Sequence, residues 1–300
     1  ERKIMEINAS NLRMLEQGFS AAFRTGLARS APTAMALAMT VPSSTAENVY
    51  DWLADNFVIR EWIGDRQLQN IGKYDYTLKN KDYEGTIKVN RNKILDDQYG
   101  SYGLMFQQMG DAVTQFPDKL LYGLLKAGFT SPCFDGQYFF DTDHPVGLPG
   151  KEVSVSNHLG GSGEAWFVMD TSKVLKPLIW QPRSAFNMVR MDKPDDENVF
   201  MRKEYVYGVD GRCNAGFGLW QLAVASRQTL NVDNVQAALT ALGNIRGNNG
   251  EPLNVQGTTL VVSSNLRETA LNLMGKEFIQ YGESNVLKGR LTVTSSGYLL

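Results

Sequence analysis

At 300 residues, with 43% hydrophobic and 10% aromatic side chains, the chain is long enough for about two domains and too apolar to be a disordered segment. Its 30 Lys and Arg against 32 Asp and Glu leave a net charge of -2, which excludes the basic excess that tight binding to a nucleic-acid backbone requires. No run approaches the roughly 20 apolar residues of a membrane span. Glu1-Arg2-Lys3-Ile4-Met5 carries no apolar signal region, so a soluble, non-exported product is expected. Cys133 and Cys213 lie far apart in unlike contexts, which suits reduced thiols better than a disulfide framework.

Residues 7 to 29 place Leu12, Leu15, Phe19, Phe23 and Leu27 at helical spacing, with Asn8 as a cap and Pro32 beyond the end. Thr33 to Ser44 reads as extended chain, so the first 50 residues look like an arm. In residues 64 to 95, Tyr74, Tyr76 and Leu78 alternate with polar neighbours, Asn80-Lys81-Asp82 forms a polar turn, and Tyr83, Ile87 and Val89 alternate again. That pattern predicts a two-stranded ribbon with a charged tip, and such a hairpin needs a further surface to be stable in water.

Residues 98 to 128 predict a long helix whose stripe includes Met105, Met109, Phe116, Leu121 and Leu125. Pro117 either kinks it or opens a second helix. Gly- and Pro-rich loops follow, and Gly160-Gly161-Ser162-Gly163 reads as a hinge between domains. Strands are expected at Trp166 to Val168, Val174 to Gln181, Val199 to Gly208 and Gly218 to Ala225. Asn231 should cap a helix that Gly243 stops, Leu260-Val261-Val262 reads as a buried strand, Ser264 should cap a helix over Leu266 to Met274, and Arg290 to Thr294 closes an α+β chain.

The search for chemistry finds no complete motif. Of the 2 histidines, His144 and His158, neither has a second His or Cys at ligand spacing. Asp141, Asp143 and His144 could serve a metal-dependent hydrolase only if their loop curled around an ion, and a Pro-terminated acidic turn is the commoner outcome of such a run. The Gly-Lys pairs at Gly72, Gly150 and Gly275 lack the Ser or Thr of a phosphate loop. Gly216 and Gly218 lack the third glycine of a dinucleotide fingerprint, and Ser162 has Glu164 where a nucleophile elbow needs glycine. No catalysis, cofactor or metal is expected.

Several segments carry a resemblance. Arg60-Glu61-Trp62-Ile63-Gly64, Met105-Phe106-Gln107-Gln108-Met109-Gly110, Gln115-Phe116-Pro117-Asp118 and Gly128-Phe129-Thr130-Ser131-Pro132-Cys133-Phe134-Asp135-Gly136-Gln137 are similar to the major head (capsid) subunits of bacteriophage Mu and Mu-like prophages. Phe139-Phe140-Asp141, His144-Pro145 and Gly218-Leu219-Trp220-Gln221 continue the likeness in the same order. The resemblance implies an α+β Hong Kong 97 type phage capsid fold. Residues 1–50 would be the N-terminal arm and 51–97 the extended β-ribbon loop. Residues 98–227 would form the peripheral domain, with spine helix 98–128 and a loop excursion over 130–185, and 228–300 the axial domain.

The function so implied is a major capsid protein that self-assembles into the icosahedral head shell around the genome of a Mu-like tailed phage or prophage. Its partners would be further copies of itself in hexameric and pentameric capsomers, with the scaffold or protease, portal and decoration proteins of the head, and DNA only by weak nonspecific contact. It would lie in the virion after assembly in the bacterial host cytoplasm. Subunit contacts are expected at the ribbon, through Tyr74, Tyr76, Lys79, Lys81, Asp82, Tyr83 and Ile87. A rival with the same fold is the shell of an encapsulin-like nanocompartment, and a rival of another class is the hydrolase at Asp141, Asp143 and His144.

Overall fold

The computed structural model describes residues 9–51, 53, 76–95, 100–147, 150–247, 250–278 and 284–300. Helix α1 (Ala9–Leu27) is followed by a turn of 3-10 helix, Ala34–Leu37, and by strands β1 (Ala38–Thr40), β2 (Glu47–Val49), β3 (Thr77–Lys79) and β4 (Lys81–Asn90). The short α2 (Arg91–Leu95) precedes the long α3 (Ser101–Ala127). Small strands β5 (His144–Val146), β6 (Val153–Val155) and β7 (His158–Gly161) lead to β8 (Trp166–Met169) and β9 (Leu178–Met191). Then come α4 (Glu197–Arg202), β10 (Glu204–Phe217), β11 (Ala223–Arg227), α5 (Val232–Gly243), β12 (Thr259–Ser263), α6 (Arg267–Gly275) and β13 (Thr292–Ser296).

Two larger sheets organise these elements. One has the order β1-β9-β10-β4, the other β13-β12-β8-β11-β7. In the second, β8 runs antiparallel to both β11 and β12, while β12 and β13 are parallel. All four residues of β8 are buried, which explains why Trp166, Phe167, Val168 and Met169 form an unbroken apolar run with no alternation. Helix α5 packs on β8 and β11, and α6 on β12 and β13.

The chain divides into two compact units that interleave along the sequence. The first comprises residues 1–32, 80–117 and 182–214, the second 33–79, 118–181 and 215–300. The core of the first unit is a cluster of Phe19, Val89, Ile94, Phe106, Val199, Tyr205 and Tyr207. Phe19 stacks on Phe106 with centroids 4.3 Å apart, and Tyr207 meets both rings edge-on. In the second unit Phe139 stacks on Phe217 at 4.5 Å, beside Phe140 and Phe167. There the Asp118 carboxylate accepts from the Thr33 hydroxyl and from the backbone amides of Thr33 and Ala34, fixing the chain that leads to β1.

Helix, strand and loop expectations meet the structure unevenly. Alpha-helices α1 and α5 fall where periodicity placed them, and the Asn231 side chain accepts from the Asn234 amide at 2.9 Å as an N-cap should. Pro117 neither breaks α3 nor opens a new helix, and it is the last residue of its unit before the chain passes to the other.

The ribbon is corrected. Within the described residues β3 pairs with β2, joining Leu78 to Asn48, and β4 pairs with β10 over ten residue pairs from Lys81 to Asn90. Only Asn80 separates β3 from β4, fewer than the two residues of the tightest common hairpin turn, so the polar run is a joint between two sheets. Alternation marks a half-buried strand but is blind to which strand it will join.

Three further corrections have local causes. The expected strand start at Val199 is α4, whose Val199 is buried while Phe200 and Met201 lie exposed. Ser264 does not cap α6, because Leu266 occupies that position and its amide turns to the Ser263 hydroxyl. The glycine run at 160–163 is no hinge between the units. Gly161 pairs with Arg227 of β11 so closely that a β-carbon would overlap the Arg227 backbone, and both flanks lie in the second unit.

Candidate functional site

The residues expected to touch a neighbouring subunit scatter into several environments. Tyr74 lies outside the described residues. Tyr76 is engaged within its own unit: its hydroxyl accepts from the Phe217 amide at 2.8 Å, and its ring tilts against Tyr50. Burial pushes the Tyr76 phenol up to about 12. Tyr83 meets Phe116 edge-on at 4.6 Å, and Ile87 packs on the first unit's core, so both face inward. Lys79, Lys81 and Asp82 are exposed. Lys79 pairs with Glu47 at 3.9 Å and Asp82 with Arg212 at 2.6 Å, cross-strand pairs of modest worth in water.

The acidic run at 141–144 does not converge either. The Asp141 carboxylate turns back onto the amides of Tyr138 and Thr142, at 3.2 and 2.7 Å. Asp143 is exposed, whereas His144 is fully buried. Asx-type turning of a short acid onto its own backbone competes with ligation, and here it holds Asp141.

His144 instead joins two residues from the first half of the loop between α3 and β5. Its Nδ1 lies 2.7 Å from Asp135 Oδ2, and the Cys133 thiol donates to Asp135 Oδ1 at 3.1 Å. One ligand atom from each of the three lies within 4.8 Å of the others. The imidazole is stacked on Trp220, centroids 3.9 Å apart and 11° from parallel, and its Nε2 has no protein hydrogen-bond partner. Burial raises the Asp135 carboxyl, but hydrogen bonds from His144 and Cys133 outweigh it and hold the group below the ordinary carboxylate range. Burial first, and the nearby carboxylate second, push the Cys133 thiol well above its usual value. Nothing in the spacing of Cys133, Asp135 and His144 advertised this cluster, which β5 creates by returning His144 to the loop.

Another feature that the sequence concealed is the apolar tip formed by α4 and the end of β9. Phe200 is 79% and Met201 69% exposed, with Val189 and Met191 exposed nearby on the strand. Reading the segment as a strand put alternate residues inside. The usable signal was Asp195-Asp196-Glu197, acids at a helix start, and Asp196 is the N-cap of α4.

With the geometry in hand, the model of the Mu-like prophage major head subunit gpT family matches residues 12–299. The chain belongs to that family. This head subunit is 35% identical to the major capsid protein of Escherichia phage Mu over 98% of the chain and 100% of that protein. It is 38% identical to the Mu-like prophage FluMu major head subunit of Haemophilus influenzae over 87% of each.

Among solved structures, a chain of the procapsid of bacteriophage JBD30 superposes with a TM-score of 0.87 at 39% identity, over 97% of the head subunit and 100% of that chain. The JBD30 capsid matches at 0.78 and 28%, and one such capsid is decorated with minor capsid protein trimers. The fold is therefore the α+β phage capsid fold of the Hong Kong 97 type, and the head subunit is a structural component of the virion shell. The nanocompartment reading yields to these phage relatives. No helix among the described residues is long and apolar enough to cross a membrane.

Proposed function

We propose that copies of this chain close into an icosahedral head shell of hexameric and pentameric capsomers around the genome of a Mu-like phage or prophage, assembled in the host cytoplasm. The observation that carries the reading is agreement in sequence and fold with the JBD30 procapsid chain over 97% of the length. Shell growth from many weak contacts gains through repetition, and a net charge of -2 lets like subunits approach without strong repulsion. The chain acts by contact and carries out no catalysis. A scaffold or protease, a portal and decoration proteins would complete the head, and DNA would touch the inner surface only weakly. Residues 1–50 serve as arm and 51–97 as extended loop, whereas 228–300 is not a domain by itself, because its strands β12 and β13 share a sheet with β7, β8 and β11.

Contacts between copies fall to residues that their own unit leaves exposed. Lys79, Lys81 and Asp82 retain that role, whereas Tyr76, Tyr83 and Ile87 are occupied internally; Tyr74, outside the described residues, keeps the role on its sequence alone. To them we add Phe200 and Met201, large apolar side chains whose exposure suits burial against a second copy. Replacing both by Ser should leave the subunit's melting temperature within about 2 °C, since surface changes are nearly neutral for folding, while sedimentation and electron microscopy show fewer closed shells. Full-sized shells at normal yield would remove the tip from the interface. A wild-type chain that stays monomeric at all concentrations and salts would overturn the shell reading itself.

A further inference from the structure

We propose that Cys133, Asp135 and His144 form a binding site for a thiophilic divalent cation of the zinc class, which pins the loop after α3 to β5. The donor set carries the argument. A thiol, a carboxylate and an imidazole present sulfur, oxygen and nitrogen within 4.8 Å of one another. This mixture suits zinc, whereas magnesium and calcium select all-oxygen sites.

The carboxylate already sits between the other two donors. Asp135 Oδ1 faces the Cys133 sulfur at 3.1 Å, and Oδ2 faces His144 Nδ1 at 2.7 Å, so the carboxylate spans the other two donors. Ligand atoms around tetrahedral zinc stand roughly 3.3–3.7 Å apart, as bonds of about 2.0 to 2.3 Å require. The two contacts to Asp135 therefore need to open by about half an ångström, while the Cys133 sulfur and the His144 nitrogen, within 4.8 Å of each other, draw in by up to about 1 Å. The His144 and Asp135 side chains are 0% and 4% exposed, and the three donors leave the fourth position of a tetrahedral cation to a water or other small ligand.

Supporting groups hold the donors in place. The Gln137 amide also donates to Asp135, at 3.1 Å, and the Trp220 indole lies flat on the imidazole, fixing the ring plane. The backbone fixes the loop as well: the Cys133 amide donates to Gln137 O at 2.8 Å, and Gly136, at a φ of 88°, makes the turn between them. On binding, the Cys133 S–H bond breaks and its proton leaves to solvent, while the His144 Nδ1–H bond to Asp135 also breaks as the imidazole changes tautomer and takes up a proton at Nε2; the sulfur and Nδ1 electron pairs then go to the cation. No electron is transferred. The same three groups without a cation form a hydrogen-bonded staple, and experiment separates the two.

The full chain, purified without chelator and dialysed first against zinc and then against metal-free buffer, is assayed for metal content by plasma mass spectrometry. About one zinc per chain is expected, with a Cys133→Ser chain holding about tenfold less and an Asp143→Asn chain, altered at the exposed neighbouring acid, holding as much as wild type. Replacing zinc by cobalt should give a near-ultraviolet thiolate-to-cobalt band that the Cys133→Ser chain lacks. Circular dichroism confirms that each variant is folded, and a His144→Asn chain gives the same comparison should the serine variant fail to fold. Substoichiometric metal in wild type with no rise in melting temperature on adding zinc would overturn the proposal and leave a staple. Equal metal in wild type and both ligand variants would overturn it too, since the cation would then lie elsewhere. Because shell assembly is read separately by sedimentation, failure here leaves the capsid reading standing.

Discussion

Gly26 of α1 and Gly110 of α3 touch where the two helices cross: a β-carbon on Gly110 would overlap the Phe23 carbonyl and come within 3.0 Å of Gly26 Cα, and one on Gly26 would overlap the Gln107 carbonyl. Both clashes are with backbone, which cannot rotate away. Just beyond the crossing the Thr114 hydroxyl donates to Leu27 O and the Ser30 hydroxyl to Asp111, at 2.9 Å each. Gly110→Ala is expected to cost about 3 kcal/mol or more of stability, because the helices must move apart across a packed core. Gly18→Ala, on the same α1 but with nothing within 4 Å, should instead be neutral or stabilise by up to about 1 kcal/mol. Urea unfolding of the two variants checks the contrast, and equal effects would mean that the crossing is looser than described.

Asp170 is fully buried at the end of β8, where its carboxylate accepts from the Ser172 amide and hydroxyl at 2.9 and 2.6 Å and from the Gln256 amide at 2.9 Å. Asp170→Ala leaves those donors without an acceptor and should cost about 3 kcal/mol. Asp170→Asn keeps an acceptor oxygen and should cost clearly less. A loss on Ala no greater than on Asn, by the same unfolding assay, would show that the donors find other partners.

Asp192 reports on pH. Burial raises its carboxyl above the ordinary value, against the lowering influence of Arg190 and of the Tyr207 hydroxyl at 3.4 Å. The folded protein thus holds this proton more tightly than the unfolded chain does. The stabilisation that Asp192 contributes is complete below the unfolded value of about 3.9 and falls as pH rises through the folded value. Asp192→Asn should therefore melt higher than wild type at neutral pH, with the difference shrinking as pH falls toward 4. Melting curves at stepped pH check it, and a difference that widens in acid would reverse the sign.

Lys203 closes α4 in the left-handed region, at φ 54° and ψ 37°, with its amide on the Asn198 and Val199 carbonyls. A side chain there costs roughly 1 kcal/mol that glycine avoids, offset in part by glycine's freer unfolded chain. Lys203→Gly is expected to raise stability by about 0.5 kcal/mol. A loss of similar size would place the lysine side chain in contacts that matter.

The sequence by itself determined the α+β class, the positions of α1, α3, α5 and β12, and, through the family resemblance, the capsid role. Those features rest on periodicity within a window and on runs of side chains in fixed order, both local properties. Tertiary structure alone decided that β3 joins β2 while β4 joins β10, because strand alternation records which face is buried and says nothing of the partner edge. It also turned Tyr76, Tyr83 and Ile87 inward and left Phe200 and Met201 outside, since the apolar alternation of 199–208 conceals a short helix before its strand. Cys133, Asp135 and His144 meet for the same reason: eight residues lie between the aspartate and the histidine, and only the return of β5 brings the imidazole back to the carboxylate.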